Sequence, residues 1–122
     1  MNKEVVIKKC NTCNSVVRVL EGNSDISCCG NKMVTLTPNS VEASFEKHMP
    51  TYEKAGDKIN VTVNHVMDDD HYIEYILYVY DNKEEMVKFN PGEVAKCTFD
   101  YVKGAKIYSY CNKHGLWSCE VE

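Results

Sequence analysis

The sequence predicts an all-β protein: an antiparallel β-sandwich starting near residue 38, preceded by a small segment that cannot fold on hydrophobic burial alone. Three observations carry this expectation. Beyond residue 40, short runs alternate apolar and polar residues at period two and are parted by turn formers, with no helical period. All 3 Phe, 8 Tyr and 1 Trp lie at or after Phe45. Of the 7 cysteines, Cys10, Cys13, Cys28 and Cys29 crowd the aromatic-free front of the chain.

Residues 1–37 form the first predicted domain. They hold no histidine and no aromatic, and they carry turn formers at Asn14, Gly22, Asn23, Gly30 and Asn31. A segment of this size without aromatics needs a staple, and a metal is the usual one. Residues 38–122 form the second. In 59–65 the alternation puts Ile59, Val61, Val63 and His65 on one face, so His65 is expected to close a strand at the end of a buried row. Further strands are expected over 72–80, 85–89, 93–102, 105–111 and 116–121. Turn signals part them at Asp81-Asn82, Asn90-Pro91-Gly92 and Lys103-Gly104. Five to seven short strands of this kind argue for a sandwich.

Composition narrows the function classes. A hydrophobic fraction of 43% with 26% charged residues is ordinary for a globular protein, and no apolar run is long enough to span a bilayer. The opening MNKEVVIKKC shows no apolar export region, so a cytoplasmic location is expected. In that reducing compartment an odd number of cysteines speaks for metal binding over disulfides. The net charge of −4 disfavours nucleic acid as a partner and would repel an anionic substrate, which would then need a local positive group to reach its site.

Cys10-Asn11-Thr12-Cys13, followed fourteen residues later by Cys28-Cys29-Gly30, supplies four thiolates from two loops, enough for a tetrahedral site. Zinc and iron fit that set equally well. Adjacent cysteines cannot make the CxxC turn, so the second half-site should be distorted. The 4 histidines fall in three local patterns: Glu46-Lys47-His48-Met49-Pro50, the stretch from His65 to Glu74 that includes His71, and Cys111-Asn112-Lys113-His114-Gly115-Leu116-Trp117. His65 and His71 flank one loop, and Cys111 and His114 sit three apart across a turn, so each pair can converge. Four imidazoles and one thiolate suit iron better than zinc or copper and leave one octahedral position open.

EKHMP, the His65–Glu74 stretch and CNKHGLW resemble the ligand motifs of superoxide reductases. The CxxC and Cys-Cys front half is similar to the desulforedoxin-like domain of the two-iron members, the desulfoferrodoxins. The resemblance covers nearly the whole chain. It implies an immunoglobulin-like sandwich, a homodimer and two iron ions per chain, one in the four-cysteine site. The second would be held by His48, His65, His71 and His114 as equatorial ligands, with Cys111 axial. It further implies that Glu46 occupies the open position in the oxidised state, that Lys47 lies beside it, and that the electron donor is a rubredoxin or a related reductase. The implied reaction is one-electron reduction of superoxide to hydrogen peroxide without release of oxygen. Lys47 would supply the local positive charge, and a thiolate ligand would enrich the iron in electron density and favour loss of peroxide.

Two departures stand out. Val66 replaces the proline usual after the histidine, and Tyr75 replaces a common tryptophan. Cys97 and Cys119 fit no ligand pattern and read as structural thiols, and Asp68-Asp69-Asp70 reads as a solvated loop. A non-enzymatic iron electron carrier, or a colourless zinc-stabilised module, are the competing readings.

Overall fold

The computed structural model describes residues 4–22, 24–41 and 45–122, without the side chains of Phe45 and Glu46. The chain divides into two compact units, with the boundary between Thr37 and Pro38.

The first unit is built from two-to-four-residue strands. Strand β1 (Val6–Lys9) lies between β2 (Val16–Val19) and β5 (Val34–Thr35), and β3 (Ser27–Cys28) pairs with β4 (Asn31–Lys32). All pairings are antiparallel. Ile7 and Cys10 are buried, but Leu20 and Val34 stay exposed, in keeping with a unit too small for a core of its own.

The second unit is the sandwich. A three-stranded sheet, in the order β10 (Lys96–Asp100), β7 (Lys58–Thr62), β6 (Thr51–Ala55), faces a four-stranded one, in the order β12 (Gly115–Glu120), β11 (Lys106–Cys111), β8 (Ile73–Tyr80), β9 (Lys83–Lys88). Period-two alternation decides what lies between them. Ile59 and Val61 of β7, Phe99 of β10, Ile76 and Tyr78 of β8, and Ile107 and Cys111 of β11 form one buried cluster. Each large side chain fully removed from water there contributes about 1.5–3 kcal/mol. Tyr78 stacks on Phe99 at 4.5 Å between ring centroids. Its buried hydroxyl donates to the Asp100 carbonyl and accepts from the Val102 amide, so a polar atom crosses the core without losing its partners.

Two expectations need correction, and one strand has no counterpart among those expected. β7 ends at Thr62, so His65 lies in the segment beyond the strand, although Ile59, Val61 and Val63 are buried as the alternation requires. The stretch expected as a strand over 93–102 is regular only over Lys96–Asp100. β6 was not foreseen, because its mostly exposed TYEKA carries no apolar row. A single helical turn, α1 (Phe45–His48), precedes it.

Candidate metal centres

In the first unit, the sulfurs of Cys10, Cys13, Cys28 and Cys29 all lie within 4.8 Å of one another. A tetrahedral metal with bonds of about 2.3 Å to sulfur sets its sulfurs about 3.8 Å apart. The separations Cys13–Cys28 and Cys28–Cys29 are 3.6 Å and 3.9 Å, so the donor set fits such an ion. The CxxC turn is closed by Asn14 N donating to the Cys10 carbonyl at 2.8 Å, with Cys13 N directed at the Cys10 sulfur at 3.5 Å. The adjacent pair solves its geometry differently: Cys29 and Gly30 both take positive φ, 54° and 78°, which turns the two neighbouring side chains toward one point at some backbone cost.

Electrostatics already divide the four sulfurs. Amides of Cys13 and Thr12 hold the Cys10 thiol below its ordinary value. The Ser15 hydroxyl and amide bring Cys13 down to about 6. Contacts with Cys10 and Cys13 push Cys28 up to about 12, and Cys29 also rises, chiefly through Cys13. Cys10 and Cys13 are thus the more acidic pair and Cys28 and Cys29 the less acidic, and a bound cation would favour the thiolate at all four.

In the second unit, His48, His65, His71, Cys111 and His114 place their donor atoms within 4.8 Å of one another. The imidazoles close a cycle. Ring centroids are 4.7 Å apart for His48–His65, His65–His71 and His48–His114, and 5.0 Å for His71–His114, with neighbouring planes 68–89° apart. Nε2 of His48 is 2.9 Å from Nδ1 of His114 and 3.2 Å from Nε2 of His65. Metal–imidazole bonds of about 2.1 Å at right angles would set adjacent nitrogens about 3.0 Å apart. The Cys111 sulfur lies 3.4 Å from His65 Nε2 and 3.8 Å from His114 Nδ1. The Nε2 of His71 is buried with no hydrogen-bond partner. Such an atom costs about 1–3 kcal/mol if nothing satisfies it; a metal held by the five donors would.

Local sequence explains how each ligand arrives. Cys111 and His114 belong to the β11–β12 hairpin, whose three-residue loop is followed by Gly115 at φ 81°. Gly115 thus takes a left-handed conformation immediately after the loop, where a side chain would be strained. A register shift between Tyr110 and Cys111 in the β8–β11 pairing marks a bulge beside the ligand. His71 ends a tight turn closed by Asp68 N to His71 O at 3.0 Å and the reciprocal bond at 3.3 Å. The turn is held by main-chain bonds, and Asp68, Asp69 and Asp70 are all exposed, as a solvated loop requires. His65 donates Nδ1–H to the Val66 carbonyl, which fixes the tautomer and leaves the Nε2 lone pair for the site. Burial lowers the His65 pKa below its ordinary value, which favours the neutral ring. Burial also pushes the Cys111 thiol up, against the Lys113 and His114 amides that pull it down, so this thiolate too depends on a neighbouring cation.

Supporting residues were less visible in the sequence. Trp117, fully buried, stacks on His48 at 5.0 Å and 23° and donates Nε1–H to the His114 carbonyl at 3.1 Å. Buried Ser109 donates to the His48 carbonyl at 2.8 Å. The side chain of Asn112 bonds to the loop that carries His71. Trp117 and Asn112 sit inside the CNKHGLW motif, which is the signal that could have found them; Ser109 offers none. Lys47 is exposed at the end of α1, and the side chain of Glu46 lies outside the described residues. Tyr75, at the departure from tryptophan, stacks on Tyr110 at 5.5 Å. Cys97 and Cys119 are half-buried against the core, and burial raises both thiols to about 11. Both are protonated at neutral pH and take part in neither cluster.

Residues 40–120 match the family described as desulfoferrodoxin. A desulfoferrodoxin of Syntrophotalea carbinolica is 37% identical over 125 residues, spanning 98% of this chain and 99% of that one. A superoxide reductase of Pyrococcus abyssi is 32% identical over 113 residues, spanning 74% of this chain and 98% of its own. Among solved structures, the superoxide reductase from Treponema pallidum superposes with a TM-score of 0.75 at 22% identity, over 97% of this chain and 100% of that one. No helix among the described residues is long and apolar enough to cross a membrane.

Proposed function

The chain belongs to the desulfoferrodoxin family, and we propose that it is a superoxide reductase, reducing superoxide to hydrogen peroxide without releasing oxygen. The observation that carries this reading is the set of four imidazoles and one buried cysteine sulfur with donor atoms within 4.8 Å of one another. An electron carrier would be served by four thiolates alone and gives no reason for a second, mixed donor set.

In this reading His48, His65, His71, His114 and Cys111 hold an iron ion, and Cys10, Cys13, Cys28 and Cys29 hold another. When bound in the mixed site, ferrous iron supplies the single electron that, with two protons, converts superoxide to hydrogen peroxide. The chain's own part is to hold and shield the donors. His48 and Cys111 are buried, Trp117 backs the His48 ring, and five protein donors fall one short of an octahedral shell. Lys47 counters the repulsion that a net charge of −4 exerts on an anion. Glu46, next to Lys47, is the carboxylate proposed to reach the iron in its oxidised state. An external donor such as a rubredoxin, a homodimeric assembly and a cytoplasmic setting complete the proposal on family likeness alone.

Metal analysis with visible spectroscopy tests it. The purified protein is expected to contain two irons per chain and to show thiolate-to-iron absorption that ascorbate or dithionite bleaches. Colourless protein with stoichiometric zinc would overturn it. Lys47→Ala is expected to slow the second-order reaction with superoxide severalfold and to flatten its dependence on ionic strength, as measured by pulse radiolysis over a salt series. An unchanged salt slope would remove Lys47 from the steering role. For Cys13→Ser, the absorption of the four-thiolate site should disappear while superoxide reduction continues at the unmodified rate; a parallel loss of that rate would make the first site part of turnover.

A further inference from the structure

The two ligand-bearing loops of the mixed site lie beyond the end of the sheet that should hold them together. The β8–β11 ladder runs regularly from Lys106↔Val79 to Tyr110↔Tyr75, shifts at the bulge and finishes at Cys111↔Ile73. His71 comes before that point on one strand and His114 after it on the other. At this gap stands Asn112. Its backbone N donates to the Tyr72 carbonyl at 3.3 Å. Its side-chain Oδ1 accepts from the Tyr72 amide at 3.0 Å, and its Nδ2 donates to the Asp70 carbonyl at 2.9 Å. A side-chain amide has the donor and acceptor of a peptide group, and both are used here as a strand would use them. The ladder is thereby extended past the bulge, across the two residues that flank His71.

We propose that Asn112 is a positioning residue for the mixed metal site: its carboxamide clamps the loop that carries His71 to the hairpin that carries Cys111 and His114. It sets the span between those donors before any metal arrives. The inference rests on the reading of the five donors as an iron site. Lys113 and Asp70 form a second tie between the same loops, an ion pair at 3.8 Å with both side chains more than half exposed. Pairs of that kind contribute little in water, so the clamp is assigned to the amide.

The test uses the full iron-loaded chain. The affinity of the mixed site for ferrous iron is measured by competition with a ferrous chelator, and hydrogen exchange at the Tyr72 amide is followed in the same samples. Asn112→Ala removes both side-chain bonds and is expected to weaken iron binding about 10–100-fold, the usual cost of losing a contact that orients a ligand, and to speed exchange at Tyr72. Asn112→Asp keeps the acceptor for the Tyr72 amide and loses the donor to Asp70, so it should recover part of the affinity and most of the protection. Lys113→Ala is expected to bind iron within about twofold of the unmodified chain. Wild-type affinity in Asn112→Ala, or an equal loss in Lys113→Ala, overturns the clamp while leaving the iron site intact. An unmodified chain that holds no iron at the five donors overturns the site itself and the clamp with it. Should Asn112→Ala fail to fold, the Asp variant decides the matter: unprotected Tyr72 and affinity no different from the unmodified chain would contradict the role.

Discussion

Cys111→Ser is expected to abolish turnover with superoxide. The substitution removes the one sulfur among the five donors of the mixed site, and a neutral hydroxyl is a poor ligand for iron where a thiolate is a strong one. The loss should exceed the roughly 10–100-fold that follows from removing a supporting contact, and the thiolate-to-iron absorption of that site should go with it. Cys111 is completely buried in the core cluster, so a hydroxyl left there without a partner also costs about 1–3 kcal/mol of stability. Rate, absorption and unfolding midpoint are measured on one preparation. The expected pattern is a folded, somewhat weakened protein that keeps the absorption of the four-cysteine site. Retention of both the mixed-site absorption and the rate would contradict the ligand assignment.

Trp117→Ala carries the largest expected effect on stability. The indole is fully buried, stacks on His48 and reaches the His114 carbonyl through Nε1. Truncating a buried tryptophan costs about 3–5 kcal/mol, and here the cavity opens directly behind one ligand and beside another. Denaturant titration of the metal-stripped protein should show that loss, and the iron content of the purified variant should fall as well. Trp117→Phe separates the two contributions. It keeps an aromatic face against His48 but loses the hydrogen bond and part of the indole's volume, so it should cost about 1–3 kcal/mol, less than the alanine variant, and retain most of its iron. A Trp117→Ala protein as stable as the unmodified chain would mean that the ring is not the support the packing describes.

Much of this arrangement could be read from residues in order. The alternation at Ile59, Val61 and Val63 marks a core strand because a sandwich buries one face of each strand, and those three side chains are buried. The nine candidate ligands were legible because cysteine and histidine at these spacings have few other uses, and they form the two clusters found. What escaped the sequence depends on the third dimension. His65 lies past its strand because β7 stops at Thr62, and hydrophobic alternation cannot register where a ladder ends. β6 has no apolar row because it lies at the edge of its sheet. Ser109 acts through a bond to a carbonyl 61 residues away, which no local pattern encodes; Asn112 lies in the CNKHGLW motif, but the amide it accepts from, 40 residues away, cannot be read from that motif. The positive φ at Cys29 is the backbone's answer to the adjacent cysteines, whose awkward spacing the sequence did reveal.

The five-donor site is proposed to reduce superoxide and not to dismutate it. Product stoichiometry tests this most directly: the fully reduced protein is mixed anaerobically with a limiting, known amount of superoxide, and peroxide and oxygen are both quantified. One hydrogen peroxide per superoxide consumed is expected, with no oxygen above the solvent blank and oxidation of the iron in step. Oxygen appearing at one molecule per two superoxides, with the iron still reduced at the end, would contradict it.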